Sequence, residues 1–135
     1  MLPDEIIRLS KYRLSKAISC LDDADLLLKA GRFESSSNRS YYAVFHAMRA
    51  VLAIDGVEKS KHSGIISEFR LRYIKTGIFD AEISKIIGML SDARTESDYE
   101  DYFSAEEAEY HIQLKDAKYV VSVIEKYLND KYISA

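Results

Sequence analysis

The one proline of this 135-residue chain stands at position 3, and only five glycines follow it. These two residues are the strong helix breakers, so almost nothing interrupts helix formation over the remaining length. The apolar positions keep a helical period throughout, and no segment sustains the period of two that marks a strand. Ile7, Leu14, Leu21 and Leu28 recur every seven residues, with Ala17, Ile18 and Ala24 between them. That stripe predicts a helix over 4–30, with Pro3 at its entry, Asp4 and Glu5 at the positive end of its dipole and Gly31 as its stop. We read it as a bundle helix rather than a coiled coil, since one strict stripe of this length is common in bundles.

Caps and stops place the other helices. Ser35, Ser36 and Ser37 offer N-caps for a second helix over 36–54, which Gly56 ends. A third is expected over 62–75, stopped by Gly77. A fourth starts at the Asp80 cap and reaches about residue 98, burying Ile83, Ile86, Ile87 and Leu90. The run Ser104-Ala-Glu-Glu107 reads as a capping box for a fifth, in which Tyr110, Leu114, Ala117, Val121, Ile124 and Leu128 share a face. Five helices with short joins predict an all-α fold, an antiparallel up-and-down bundle of four to five helices forming one domain over 1–135. A chain of this length holds one ordinary core and has little room for two. The ten tyrosines, each an apolar ring with a polar tip, suit the rim of that core.

Composition narrows the function. Hydrophobic residues at 47% and charged residues at 30% fit a folded chain rather than a disordered tail. No run approaches the roughly 18 apolar residues that a membrane span needs. The opening MLPDEIIRLSKYRLSK places acids ahead of any apolar stretch, unlike a signal peptide. Cys20 is the single cysteine, so neither an internal disulfide nor a cysteine metal cluster is available, and a reducing cytoplasm is expected. Cys20 itself reads as a packing residue. The net charge of −3 argues against a protein that coats nucleic acid, because coating needs clustered Lys and Arg. The total hides an asymmetry. Residues 1–75 carry 13 Lys and Arg against 9 Asp and Glu, whereas residues 76–135 carry 6 against 13. Acids gather between Glu96 and Glu109, and residues 35–54 contain none. A small, local phosphate site is compatible with that distribution.

The acid-free stretch is the second predicted helix. Tyr41, Val44, Phe45, Met48, Val51 and Leu52 form its core face, and Arg39, Tyr42, His46 and Arg49 form a second stripe. Arg39 and His46, seven residues apart, project on the same side roughly 10 Å apart along the axis. Ala43, Ala47, Ala50 and Ala53 keep the surroundings small, so another helix can approach closely. Arginine clamps a phosphate bidentately, and histidine moves a proton near neutral pH. Together they suffice for RNA cleavage without a metal: a base takes the ribose 2′-hydroxyl proton, and a cation stabilises the charge on phosphorus. From spacing alone, the same residues also read as solvated or salt-bridged arginines beside a packed histidine.

The runs SNRSYYAVFHAMRAVL, KSKHSGIISEF, KTGIFD and ARTESDYED, in that order, resemble the HEPN domain, specifically its small stand-alone prokaryotic members, over roughly residues 5–130. The resemblance implies an α-helical bundle that works as a homodimer. Its hallmark in active members is Arg, four to six residues, then His, and Arg39 and His46 have six between them. Members with that motif are metal-independent endoribonucleases, many of them toxins paired with a small nucleotidyltransferase antitoxin. Others are nucleotide-binding partners of such transferases. The residue after the family arginine is usually Asn, Asp or His; here it is Ser40, polar but uncharged. Some of the toxins carry a tyrosine two residues after the histidine, which the antitoxin modifies with AMP. Met48 stands there, so that control is not expected at this position.

Other residues extend the candidate site. Arg94 continues the stripe of Ile83, Ile87 and Leu90, and with Asp98 at i+4 it reads either as a structural salt bridge or as a further cation whose partner orients it. His62 opens the third predicted helix after Lys59 and Lys61, where a helix N-terminus favours a phosphate; it also fits a cap or a surface position. Glu107 and His111 have metal-ligand spacing, but no further ligand pattern accompanies them, and a solvated acidic face explains the pair. No metal or cofactor is expected. The expectation is a cytoplasmic, metal-independent endoribonuclease. His46 would act as general acid/base and Arg39 would hold the scissile phosphate. Tyr42, Arg49, Arg94 and His62 would bind the RNA or nucleotide, with Ser40 and Asp98 in support. The expected partners are a second copy and a nucleotidyltransferase-type antitoxin, with no membrane. The alternatives are a non-catalytic nucleotide-binding or dimerisation module acting as helical subunit of a nucleotidyltransferase complex, and a purely structural dimerisation bundle.

Overall fold

The computed structural model describes residues 2–99 and 105–133, with the side chains of 97–99 and 133 outside the description. Five α-helices follow in order: α1 (Asp4–Lys29), α2 (Phe33–Ile54), α3 (His62–Phe69), α4 (Ala81–Tyr99) and α5 (Glu107–Leu128). The described residues contain no strand. Gly31 and Gly77 take φ of 77° and 79°, the left-handed backbone that suits glycine where a helix stops. Asp80 caps α4, its Oδ1 accepting from the Ile83 amide at 3.2 Å.

Cross-links between side chains fix the helix directions. Ser10 Oγ donates to the Ala50 carbonyl and Ser36 Oγ to the Ala24 carbonyl, each at 2.7 Å, so α1 and α2 run antiparallel. Phe33 stacks on Tyr110 with ring centres 5.5 Å apart, and the Ser37 hydroxyl bonds the Gln113 side chain, so α5 runs alongside α2 in the same direction. Tyr119 reaches Asp80 at 2.8 Å, which joins the start of α4 to the far half of α5. The chain therefore goes up in α1, down in α2, up in α4 and down in α5, with α3 as the crossover. This is the expected up-and-down bundle, and α2 lies at its centre. The six predicted core positions of α2 are all buried, as are Ile83, Ile86, Ile87 and Leu90 of α4 and the predicted face of α5.

Three local expectations differ. The α2 helix begins at Phe33, so Ser36 and Ser37 lie inside it and spend their hydroxyls on α1 and α5 instead of capping. The third helix is α-helical only to Phe69 and continues as a wider π turn over Arg70–Ile74. In α1, Ile18 is exposed and Ile7 and Leu21 are half-buried, while Ser10, Arg13, Ala17, Cys20 and Ala24 are buried. The α1–α2 seam is built from small side chains on both helices, including Ser36, Ser40, Ala43, Ala47 and Ala50. Ile18 lies about 100° round α1 from Ala17, on the solvent side of the face that Arg13, Ala17, Cys20 and Ala24 bury. Ser104 of the proposed capping box lies outside the described residues, and α5 itself starts with Glu106 at the N-cap position.

Candidate functional site

Helix α2 has one side that its own chain covers only partly. Arg39, Tyr42, His46 and Arg49 are all half-buried there, while their neighbours Ser40, Tyr41, Ala43, Val44 and Phe45 are buried. The stripe expected from spacing is thus present as a surface.

Tyr42 gathers the site. The Arg39 guanidinium lies 5.0 Å from its ring centre and the Arg94 guanidinium 5.6 Å. The imidazoles of His46 and His62 stand 6.1 and 5.7 Å from the same ring. Cations are drawn to the negative face of an aromatic ring, so one tyrosine holds two guanidiniums that would otherwise repel each other. Arg94 also lies 5.1 Å from the Tyr41 ring, as its place on the buried face of α4 leads one to expect.

Arg39 is held by an amide rather than by an acid. Its Nε and Nη2 donate to the Asn38 side-chain oxygen at 3.2 and 2.8 Å, and Nη1 reaches Cys20 Sγ at 3.9 Å. Among the described residues no carboxylate pairs with it. An arginine positioned by neutral partners keeps its full charge for an anion. Arg39 and Arg94 line a cleft of about 520 Å³, with Asn38, Ser35, Ser37 and Glu34.

His46 is the most perturbed imidazole. Burial, then the charges of Lys16, Arg49, Arg39 and Arg13, push it down from 6.5 to about 4, so it is neutral at physiological pH. Its Nδ1 is buried without a hydrogen-bond partner among the described residues. A neutral imidazole among four cations is a proton acceptor waiting in a positive field. His62 is also pushed down, by burial and then by Arg94 and Arg49. Its Nδ1 lies 2.8 Å from the Tyr41 hydroxyl, and its ring stacks 4.1 Å from Phe45.

The remaining candidates are placed less centrally. Arg49 shares Glu58 with Arg13: Arg13 bonds Glu58 at 3.0 Å, and Arg49 stands 4.0 Å from it. Residues 35–54 have no acid, but the loop after α2 supplies one. Ser40 is not brought to the stripe. One residue past Arg39 is about 100° round the helix, and its Oγ is fully buried with no partner among the described residues. Asp98 lies in the last turn of α4, and its side chain is outside the described residues. Glu107 and His111 form an exposed pair at 3.8 Å, and no metal-binding group appears among the described residues. No described helix is long and apolar enough to cross a membrane.

The structure adds residues that sequence spacing did not single out. Asn38 orients Arg39, and Arg13, Lys16 and Cys20 reach the stripe from α1. Their mutual spacing of three and four residues puts them on one face of α1. That signal was present but masked by the apolar heptad beside it.

An all-α bundle with an arginine–histidine stripe on its central helix defines a class of small helical proteins, and comparison with known proteins narrows it. The HEPN domain profile matches residues 10–127. A UPF0332 protein of Thermotoga maritima is 35% identical over 123 residues, covering 91% of this chain and 93% of that one. Two Methanocaldococcus jannaschii proteins, each named as a candidate toxin, are both 31% identical, over 117 and 111 residues. They cover 81% and 82% of this chain and 80% and 81% of their own lengths. The chain belongs to the HEPN domain family.

Proposed function

We propose that this chain is a metal-independent endoribonuclease and the toxin half of a pair with a nucleotidyltransferase-type antitoxin. The observation that carries the proposal is the neutral His46 set among four cations, one tyrosine ring away from an Arg39 that no described carboxylate neutralises. The toxin names of the Methanocaldococcus relatives support the biological role.

Arg39, with Arg94 beside it, binds the oxygens of the scissile phosphate. His46 accepts the proton of the adjacent 2′-hydroxyl. The 2′-oxygen bonds to phosphorus, the bond to the 5′-oxygen breaks, and the leaving oxygen takes a proton from water. His46 then releases its proton to solvent. The two guanidiniums stabilise the extra charge on the phosphoryl oxygens as the new bond forms. Arg49 and Tyr42 help to position the strand. The bound phosphate offsets the positive field around His46, so the imidazole becomes a stronger base when substrate arrives. A homodimer apposed through the α2 stripe would place two such sets near one strand.

Purified protein should cut single-stranded RNA in excess EDTA and leave 2′,3′-cyclic phosphate ends. Arg39→Ala and His46→Ala should abolish the cut while helical circular dichroism persists. If wild-type protein leaves RNA intact and a nucleotide raises its melting temperature, the nuclease reading is lost and a binding module takes its place.

A further inference from the structure

Arg94 borders two clefts. Besides the one it shares with Arg39, it lines a second of about 480 Å³, together with Tyr41, His62, Ser67, Arg70 and Thr95. Among the described residues no carboxylate lines this second cleft, although the chain as a whole is acidic. The polar groups that the described residues bring to it are two guanidiniums, an imidazole and several hydroxyls, with Ser63 of the α3 N-terminal turn also on the wall. Helix N-termini favour anions, and hydroxyls with arginines are the usual partners of phosphate and sugar oxygens.

The cations here are preorganised. Arg70 Nε donates to Ser84 Oγ at 3.0 Å and Nη2 to the Ser84 carbonyl at 3.1 Å, which pins the side chain to α4 and leaves Nη1 outside both bonds. Arg70 opens the π turn that continues α3, so the same widened segment carries it towards α4. Arg94 is held against the Tyr41 and Tyr42 rings. His62 is held by the Tyr41 hydroxyl and the Phe45 ring.

We infer that this second cleft holds a neighbouring phosphate of the same RNA strand, with Arg70 and His62 on that phosphate and Arg94 shared between it and the phosphate at Arg39. The inference rests on the proposed reading of the Arg39 site and adds the direction of the strand: from the Arg39 cleft, past Tyr42, to the wall between α3 and α4. The site would thus select a polynucleotide over a mononucleotide, because two anions are needed to fill it.

The test is binding rather than cleavage. A fluorescent 2′-O-methyl hexaribonucleotide, which lacks the attacking hydroxyl, is titrated against the full chain by anisotropy at low salt. Ser67 is exposed on α3 and lines the cleft, so its substitutions do not disturb packing. Ser67→Asp should weaken binding about tenfold and Ser67→Lys should tighten it several-fold, as expected for one charge beside a bound phosphate. Arg70→Gln should weaken it about tenfold. AMP should bind far more weakly than the hexanucleotide. Equal affinities in the two Ser67 variants, failure of wild type to bind the hexanucleotide, or AMP binding as tightly as the strand would each overturn the assignment. Cleavage of unmodified RNA is scored separately. Intact RNA with opposite shifts in the Ser67 pair sinks the nuclease reading and keeps the cleft. Cut RNA with no shift does the reverse.

Discussion

His46 makes the stability of this protein depend on pH in a way that one substitution should remove. Its imidazole ionises at about 4 in the folded chain and at the ordinary 6.5 when unfolded. At about 1.4 kcal/mol for each pKa unit, that difference corresponds to about 3 kcal/mol before solvent screening. The ring is only partly buried, so screening trims the effect to about 1–2 kcal/mol. The sign follows from proton binding. Between pH 6.5 and 4 the unfolded chain takes up a proton at this residue and the folded chain does not. Stability is therefore full above the unfolded value and is lost as the pH falls through that window. Glutamine at position 46 does not titrate. Urea unfolding of wild type and His46→Gln, followed by circular dichroism at about pH 7.5 and about pH 4, should show wild type losing about 1–2 kcal/mol more than the variant. His62 is also shifted down, but it is common to both proteins and cancels. Imidazole proton resonances give a direct check on the same group. Parallel pH profiles to within about 0.3 kcal/mol, or a His46 resonance titrating near 6.5, would refute the picture of a neutral imidazole held in a positive field.

Other perturbations probe the rest of the assembly. Tyr42→Ala removes the ring that holds Arg39 and Arg94 and should cost about 1–2 kcal/mol in urea melts, whereas Tyr42→Phe keeps the ring and should stay near wild type. Glu58→Gln leaves the buried Arg13 without its acid and should destabilise by about 1–3 kcal/mol, read from the urea midpoint. Ala47→Leu forces a large side chain into the fully buried small-residue seam, and a loss of about 1–3 kcal/mol in thermal unfolding is expected. Ser10→Ala removes the hydroxyl that bonds the Ala50 carbonyl and should cost about 1 kcal/mol in the same measurement.

Much of the bundle was legible because helices follow local rules. Gly31 and Gly77 stop helices where spacing placed them, Asp80 caps α4, and the faces of α2, α4 and α5 are buried as their period predicts. Where local rules do not decide, a tertiary partner does. Ser36 looks like a cap in isolation, but the Ala24 carbonyl of α1 is in reach, and its hydroxyl goes there. Ile18 is apolar like its stripe neighbours, yet it is exposed because packing buries the face of Arg13, Ala17, Cys20 and Ala24, and Ile18 lies about 100° round the helix from Ala17.

The candidate site divides in the same way. A separation of seven residues puts Arg39 and His46 on one side of a helix whatever surrounds it, because 3.6 residues per turn is a property of the backbone. The sequence therefore determines the stripe, its lack of acids and the helices that carry it. It does not determine the company the stripe keeps. That Tyr42 lies under two guanidiniums from different helices, that Glu58 closes on Arg13 and Arg49, and that Lys16 and Arg13 bring α1 charge to His46 are all products of packing. The protonation state of His46 is the clearest case. A histidine's spacing is written in the chain, but its desolvation and the cations around it exist only once α1 lies against α2, and those two effects hold the imidazole neutral.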